Sequence, residues 1–317
     1  MSYSRIAGTG GYLPKRIITN KELEKMVDTS DEWITERTGI KQRHVMEDNE
    51  TTSSMSEIAA RQAIERAEIL PTDIDLIILC TCTPDRTIPA SACILQDRLG
   101  VYNCPAFDVN AACSGFIYGL SIADLYVKNG MAKNALVIGA ESLTRIVNWE
   151  DRTTCVLFSD GAGAVVLQPS EEPGILSTHL HADGKYNKLL YASNHIGELN
   201  EPKHIHQDGR AVFKMAVTRL GEIVDETLQA NNISKSDIDW LIPHQANLRI
   251  IKATAKKLDL PMERVVLTVQ DHGNTSAASI PLAFNHAVSN GSIKRGEMLL
   301  MEAFGGGLTW GSALVKY

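Results

Sequence analysis

The 317-residue chain is poor in the features that mark several protein classes. No stretch approaches the ~20 apolar residues that cross a bilayer. Met1 to Arg16 is broken by Gly8, Gly10, Gly11 and Pro14 where an export signal would keep an unbroken apolar core. A cytoplasmic protein, with no membrane partner, is expected. Cysteine is scarce: 6 residues in the whole chain are too few for a disulfide scaffold, so each is expected as a reduced thiol with its own explanation. Basic charge is not in excess either. Against 38 Asp and Glu stand 31 Lys and Arg, a formal charge of −7 that argues against general binding to nucleic acid or anionic membrane.

What is present is the composition of an ordinary globular protein, 44% hydrophobic and 22% charged. The length is about twice that of a common ~150-residue domain, and a chain of this size buries about three quarters of its unfolded surface. Two packed units or one large α/β domain are the choices.

The sequence repeats itself. A helical stretch, Ser56 to Ala67, leads through Pro71 into the run Asp73 to Leu79, typical of a buried parallel strand. In the second half Ala211 to Ala230 leads into Asp237 to Ile242, an offset of 237 − 73 = 164 from the first run's Asp73. Further on, Asp108–Cys113 matches Val269–Asn274, and Asn129-Gly130 matches Asn290-Gly291, both at an offset of 161. Ordered correspondences with alternating strand and helix imply two pseudo-equivalent α/β halves built of parallel βαβ units. The halves divide near Leu167 to Pro173, giving residues 1–170 and 171–317. Between His181 and Arg210 lies a long polar stretch with little periodicity, a candidate lid or substrate-lining loop.

One cysteine stands out by its setting. Cys113 follows the strand-like Phe107-Asp108-Val109 and opens a long apolar helix, so its sulfur is expected at a helix N-terminus, where backbone NH groups and the dipole favour a nucleophilic thiolate. Gly115 and Gly119 would let another backbone pass close to that helix. The plain alternative is a buried structural thiol. Cys80 and Cys82 share a strand face but lack the further Cys or His cluster of a metal site, so no metal is expected. Cys93, Cys104 and Cys155 read as small core hydrophobes.

The second half offers partners for a thiol. His244 stands just past the apolar run Trp240 to Pro243, where side chains of open α/β sheets emerge toward a ligand. Asn274, the formal counterpart of Cys113, lies in the polar turn Asp271 to Ser276. In a pseudo-twofold molecule Cys113, His244 and Asn274 would converge. Phe304-Gly305-Gly306-Gly307 can bring a bare backbone NH beside them, so that Gly306 and Cys113 form an oxyanion hole. No glycine run here has the form of a phosphate loop or a dinucleotide fingerprint, so no nicotinamide cofactor is expected.

These residues resemble the thiolase superfamily and, within it, the bacterial β-ketoacyl-acyl-carrier-protein synthase III family. The resemblance runs nearly end to end. It rests on Asp31–Ile40 (DEWITERTGI), Asp108–Phe116 (DVNAACSGF), Pro243–Asn247 (PHQAN), His272–Ser276 (HGNTS) and Phe304–Gly307 (FGGG). It implies a thiolase-like α/β fold of two pseudo-equivalent halves, with mixed central sheets and helices in an α-β-α-β-α layering, in a homodimer. It also implies a ping-pong reaction with coenzyme A thioester as substrate and no cofactor: an acyl group passes from coenzyme A to Cys113, then condenses with malonyl-acyl carrier protein as carbon dioxide leaves.

The resemblance further assigns roles. His244 and Asn274 would stabilise the enolate, and Phe304 would shield the pocket from water. Thr29, Trp33, Arg37 and Arg152 would hold the adenine end of coenzyme A, and Phe213, Ala246 and Asn247 would line the pantetheine path. Ile88 would reach the partner subunit's acyl pocket. It falls where acetyl-selective members often carry a bulkier aromatic, which points to propionyl, butyryl or branched primers beside acetyl. Arg249, Lys252 and Lys256 fall on one face of the helix after His244, with Lys257 beside them and Lys214 on another helix, a basic surface suited to an acidic carrier protein.

Three rivals share parts of this pattern. A coenzyme-A-dependent condensing or acyl-transfer enzyme of secondary metabolism has the same Cys-His-Asn centre. A biosynthetic thiolase would carry His in place of the asparagine and a second cysteine near the C-terminus, yet none follows Cys155. From another class, Cys-His-Asn also suits a cysteine thioester hydrolase, although the apolar helix behind Cys113 argues against a peptide-binding cleft. With all three polar residues present, a catalytically silent scaffold is disfavoured.

Overall fold

The computed structural model describes residues 3–193 and 203–317. The first part of the chain forms β1 (Tyr3–Tyr12), β2 (Arg16–Thr19), α1 (Asn20–Leu23), α2 (Asp31–Thr38), β3 (Gln42–Val45), α3 (Thr52–Arg66), β4 (Leu76–Cys80), α4 (Ser91–Leu99), β5 (Ala106–Val109), α5 (Gly115–Lys128), β6 (Ala135–Glu141) and β7 (Gly161–Ser170). Then follow β8 (Ile175–Ala182), β9 (Leu190–Tyr191), β10 (His206–Gln207), α6 (Gly209–Asn231), β11 (Trp240–Pro243), α7 (Leu248–Lys257), α8 (Val269–His272), α9 (Ser279–Ser289), β12 (Met298–Gly305) and β13 (Thr309–Lys316).

Two sheets repeat one topology. The first has the order β1-β7-β6-β4-β5 and the second the order β8-β13-β12-β11. In each, the pairs at one end are parallel (β6–β4 and β12–β11) and the hairpin side is antiparallel (β6–β7 and β12–β13). The sheets are therefore mixed. The mixed sheets implied by the resemblance are present: the parallel units give way at β7 and β13, each of which follows its neighbour without the helical crossover that a parallel pair requires.

Alternation along the strands sets the layers. Leu76, Ile78 and Cys80 of β4 face inward with Leu299, Met301 and Ala303 of β12, and between the sheets lie α5 and α9 through Phe116, Ile117, Leu120, Ile280 and Phe284. Ile77 and Leu79 face the other way, onto α3 and α4. Leu300 and Leu314 likewise face Val224 of α6 and Ile251 of α7. The result is the five-layer α-β-α-β-α arrangement, each fully buried aliphatic side chain contributing roughly 1.5–3 kcal/mol.

Close approach between the layers depends on glycine, though not at the places expected. A β-carbon on Gly119 would stand 2.3 Å from Cys80 Sγ, so that glycine admits a side chain rather than a backbone. Backbone crosses backbone instead at Gly139 and Gly163, where added β-carbons would lie 2.2 Å from the Ala277 carbonyl oxygen and 2.6 Å from Leu282 N. Two other expectations change. Residues 269–272 form a short helix where the repeat implied a strand, and the fifth strand of the second sheet is reduced to an isolated bridge between Leu241 and Val265. Cys93 is exposed and Cys104 half-buried, so neither is a core residue, whereas Cys155 is.

The polar stretch 181–210 is partly ordered by its neighbours. β8 runs through Ala182, and β9 pairs antiparallel with β10. Residues 194–202 of this stretch lie outside the described residues.

Candidate active site

Cys113 sits in a 3-10 turn, Ala112–Ser114, that joins the end of β5 to α5. Asn110 Oδ1 accepts from Ala112 N at 3.2 Å, and Ala112 takes a positive φ of 46°. From the other half, Thr309 Oγ1 donates to Ala111 O at 2.9 Å and Ser114 Oγ donates to Thr309 O at 3.1 Å. Gly305 closes against the cysteine itself: a β-carbon there would stand 2.7 Å from Cys113 N and 2.8 Å from its Cβ. The thiol is 6% exposed.

That burial pushes the Cys113 thiol up to about 11, with the Glu141 carboxylate adding to the rise and a hydrogen bond from Ser276 opposing it. The expected thiolate at a helix N-terminus is corrected on this point. The cysteine precedes the helix proper and is almost fully buried, so desolvation outweighs the dipole and favours the thiol.

His244 follows β11, and its NH donates to Glu302 O of β12 at 2.8 Å, which extends the parallel ladder by one bond. Nδ1 of its ring lies 2.6 Å from Ser279 Oγ at the start of α9. Burial lowers the imidazole to about 4, so it is neutral through the physiological range. Gln245 N also donates to Ser279 Oγ, at 3.3 Å. With one lone pair so engaged, the hydroxyl can donate to Nδ1 and leave the ring proton on Nε2.

Asn274 is fixed through its backbone to the first half, its N donating to Leu157 O at 3.0 Å and its O accepting from Ser159 N at 2.9 Å. Its Oδ1 accepts from Ser276 N at 2.9 Å, which leaves the amide NH2 as a donor. The three polar groups do come together. Cys113, His244, Asn274 and Phe304 line one cavity.

The repeat that suggested this convergence has a different register from the one read in sequence. The two buried helices end at the same offset, since their C-caps are Asn129 and Asn290, a difference of 161. They begin at a different one: Gly115 and Ser279 differ by 164, because α9 is three residues shorter (14 against 11). The turn Ala112–Ser114 therefore corresponds to Ser276–Ala278, whose first residue, Ser276, also has a positive φ, 49°. The counterpart of Cys113 is Ala277, and Asn274 stands one short step before the matching turn.

The cavity around these groups is also lined by Phe213, Ala246 and Asn247, with Val212, Ala216 and Leu220 of α6 and Ile250 of α7. A second cavity reaches Cys113 from the other side, past Cys82, Thr83, Ser142, Ser276 and Gly306. Trp33, Arg37 and Arg152 line neither and gather outside. The Arg37 and Arg152 guanidiniums lie 5.9 and 5.5 Å from the Trp33 ring centroid. Ser30 caps α2 by accepting from Trp33 N, and Asn247 Nδ2 donates to Arg37 O at 3.1 Å, which ties α2 to the start of α7. Thr29, next to that cap, is half-buried and its Oγ1 has no partner among the described residues.

On the outer face, Lys214, Arg249, Lys252 and Lys256 are exposed, with Arg249 stacked over the Phe213 ring at 5.0 Å. Lys257 lies beside them, its Nζ 2.6 Å from Asp225 Oδ2 in a surface ion pair between α7 and α6. Ile88 lines neither cavity and is 83% exposed. Ser276, Ser279 and Glu141 were given no role in the sequence reading. For Glu141 a signal existed, an acid closing the apolar run of β6.

A mixed two-sheet, five-layer fold with thiol, imidazole and amide around one cavity defines a thiolase-fold condensing enzyme, an acyltransferase. Two family models match, one described as 3-oxoacyl-[acyl-carrier-protein (ACP)] synthase III over residues 107–184 and one as the C-terminal part of the same synthase over residues 228–317. The β-ketoacyl-[acyl-carrier-protein] synthase III of Methylococcus capsulatus is 63% identical over 319 residues, covering 99% of each chain. The chain belongs to the 3-oxoacyl-[acyl-carrier-protein] synthase III family.

Solved structures agree. That of 3-oxoacyl-[acyl-carrier-protein] synthase III from Aquifex aeolicus superposes with a TM-score of 0.95 at 50% identity, covering 99% of this chain and 100% of that one. A priming β-ketosynthase of the R1128 polyketide pathway superposes at 0.94 with 36% identity, covering 99% and 96%.

Proposed function

We propose that this enzyme initiates fatty-acid synthesis at the centre formed by Cys113, His244 and Asn274, condensing a short acyl-coenzyme A with malonyl-acyl carrier protein to 3-oxoacyl-acyl carrier protein, coenzyme A and carbon dioxide. The carrying observation is the convergence of those three side chains at one buried cavity. Cys113 accepts the acyl group, because sulfur is both a strong nucleophile and a good leaving group from a thioester. Neutral His244, with its proton on Nε2, and the Asn274 amide donate hydrogen bonds to the malonyl thioester oxygen as carboxylate departs. A backbone NH beside Cys113, on the Gly305–Gly306 segment, together with that of Cys113, receives the oxyanion of the acyl transfer. Phe304 packs on α6 and keeps water from the acyl-enzyme.

The outer groups fit the delivery of substrate. Trp33, with Arg37, Arg152 and Thr29 beside it, offers an aromatic face and positive charge to the adenine end of coenzyme A, and Phe213, Ala246 and Asn247 guide pantetheine inward. The cations Lys214, Arg249, Lys252 and Lys256, with Lys257 beside them, receive the acidic carrier. Ile88 belongs to the acyl pocket of a partner subunit in a cytoplasmic homodimer. Its own 83% exposure supports this, as does the position of β5 at the edge of the first sheet. The halves read as residues 1–170 and 171–317 share that site between them.

Intact-mass measurement after incubation with short acyl-coenzyme A thioesters, and again after malonyl-acyl carrier protein, tests this reading. Acyl adducts absent from Cys113→Ala and discharged by the malonyl carrier are expected. Absence of any adduct on the wild-type protein, or discharge by water alone, would overturn it.

A further inference from the structure

Among the described residues the largest fully buried side chain is a cation, Arg43 of β3. Its guanidinium bonds only to neutral oxygens. Nη1 donates to Ile18 O at 3.0 Å, while Nη2 donates to Asn20 Oδ1 at 2.7 Å and to Val156 O at 3.0 Å. Nε has no partner among the described residues. Burial lowers the group to about 10, which leaves it charged at physiological pH. A charge taken out of water with neutral partners alone costs stability, and an apolar side chain would fill the same space without that cost. Packing therefore does not account for an arginine here.

What the guanidinium does is join segments that lie far apart in sequence and lead to the two ends of the active site. One arm runs to α2. Asn20 is 1% exposed, and its Nδ2 donates to Asp31 Oδ1 and to Ile40 O, both at 2.8 Å. Asp31 opens α2, whose first turn carries Trp33. The other arm runs to Asn274. Val156 begins the run that holds this residue, since Leu157 O accepts from Asn274 N at 3.0 Å and Ser159 N donates to Asn274 O at 2.9 Å. The arginine stem reaches the same place, for a β-carbon on Gly273 would lie 3.4 Å from Arg43 Cβ. β3 itself is laid along both segments: His44 N donates to Ser159 Oγ at 2.8 Å, Asp160 N donates to His44 O at 2.9 Å, and Lys41 N donates to Gln270 O at 2.9 Å.

We propose, on the basis of the function put forward above, that Arg43 is a positioning residue for both steps of the reaction: through Val156 it sets the Asn274 amide for condensation, and through Asn20 it sets the first turn of α2 for coenzyme A. A guanidinium suits the task because its planar fork fixes direction as well as distance. Lysine in its place would keep the charge and much of the stem, but its compact ammonium does not hold two acceptors in one plane. The Asn274 amide has to meet an oxygen whose charge is still developing, and an error of about 1 Å in such a group costs up to about 100-fold in rate.

The half-reactions measured separately test this. Acyl transfer to Cys113 is followed by intact mass across a range of acyl-coenzyme A concentrations, and discharge of the preformed acyl-enzyme by malonyl-acyl carrier protein is followed by rapid quench. In Arg43→Lys the half-saturating acyl-coenzyme A concentration rises about fivefold at an unchanged maximal rate, and condensation slows about tenfold. In an Asn274→Ala background Arg43→Lys slows condensation no further, because the group it positions is gone. A residue that only held the fold would lower both maximal rates and would slow the Asn274→Ala enzyme as much as the wild type. Asn20→Ala cuts the arm to α2 and keeps the guanidinium with its bonds to Ile18 and Val156, so it does not depend on how Arg43→Lys folds. It raises the half-saturating concentration and leaves condensation within about twofold. Wild-type acylation and discharge are measured in the same series, so failure of the proposed reaction shows in the wild type and failure of the positioning role only in the variants. Unchanged condensation in Arg43→Lys, equal slowing in the Asn274→Ala background, or an unchanged half-saturating concentration in Asn20→Ala would overturn the proposal.

Discussion

The turns at residues 112–114 and 276–278 use one backbone device twice. Each is a 3-10 turn entered through a non-glycine residue at positive φ, and each leads into a helix buried between the two sheets. They differ in what they present. The first carries the Cys113 thiol and little else that is polar. The second carries no reactive group at the matching position, Ala277, but sets Ser276 at its first residue, Asn274 just before it and Ser279, the partner of His244, just after it. Duplication thus supplied two equivalent places at the centre of the molecule, and the copies divided the work. In the function proposed above, the first half supplies the sulfur that takes the acyl group and the second supplies the imidazole and amide that steady the developing charge.

The largest test of that division separates the half-reactions. His244→Ala and Asn274→Ala should each lower condensation with malonyl-acyl carrier protein about 100- to 1,000-fold, as expected for loss of one donor to a developing oxyanion, while acyl transfer to Cys113 stays within a few-fold. Rapid-quench measurement of the two steps reads both. Equal loss of acylation would show that the halves do not divide the chemistry as described.

Stability against pH should carry the same asymmetry. His244 is lowered from its ordinary 6.5 to about 4, so the unfolded chain binds the proton more readily. Stability is then intact above about pH 6.5 and falls as pH drops toward 4. Cys113 is raised from 9.0 to about 11, so stability is intact below about pH 9 and falls as pH rises through 11. Thermal melts should show His244→Ala flattening the acid limb and Cys113→Ala flattening the alkaline one. A limb unmoved by its own variant would break the pairing.

Smaller effects belong to the outer surfaces. Arg249→Glu on the second half should weaken reaction with the carrier-bound substrate roughly tenfold at low salt and spare acylation by free acyl-coenzyme A, since rim charges act chiefly on encounter. Equal weakening of both would remove the docking role from that face. Ile88→Phe on the first half should change the wild-type rate with the shortest primer little and reduce adduct formation with branched and longer ones by a few-fold. An unchanged primer profile would detach Ile88 from the acyl pocket.

Long periodic elements were legible in the sequence because their patterns are redundant. Ser56 to Ala67 runs through α3 to its C-cap, Ala211 to Ala230 falls within α6, and the apolar runs at Leu76 and Trp240 are strands in the expected places. Cys113 and His244 were legible for a local reason, since each ends an apolar strand in a polar turn. What escaped reading depends on contacts distant in sequence. The three-residue shortening of α9 shifted the apparent counterpart of Cys113 from Ala277 to Asn274, because only the C-caps share a visible motif. The surroundings of Glu141 were hidden for the same reason: Thr81 and Thr83 meet it from another segment, and their meeting is visible only in three dimensions. The pairing of Lys257 with Asp225 of α6 is of the same kind.

The two cavities that meet at the thiol share only Cys113, Phe158 and Leu190 among the residues lining them. Such a boundary makes the enzyme modular under selection. Substitutions among Thr83, Ile146 or Ile205 reshape the far chamber without touching the approach along α6 and α7, and changes at Val212 or Ile250 alter the approach without touching the chamber. Under the function proposed above, the shapes of chamber and approach can therefore change along separate axes, each by single steps, while the three shared residues stay in place.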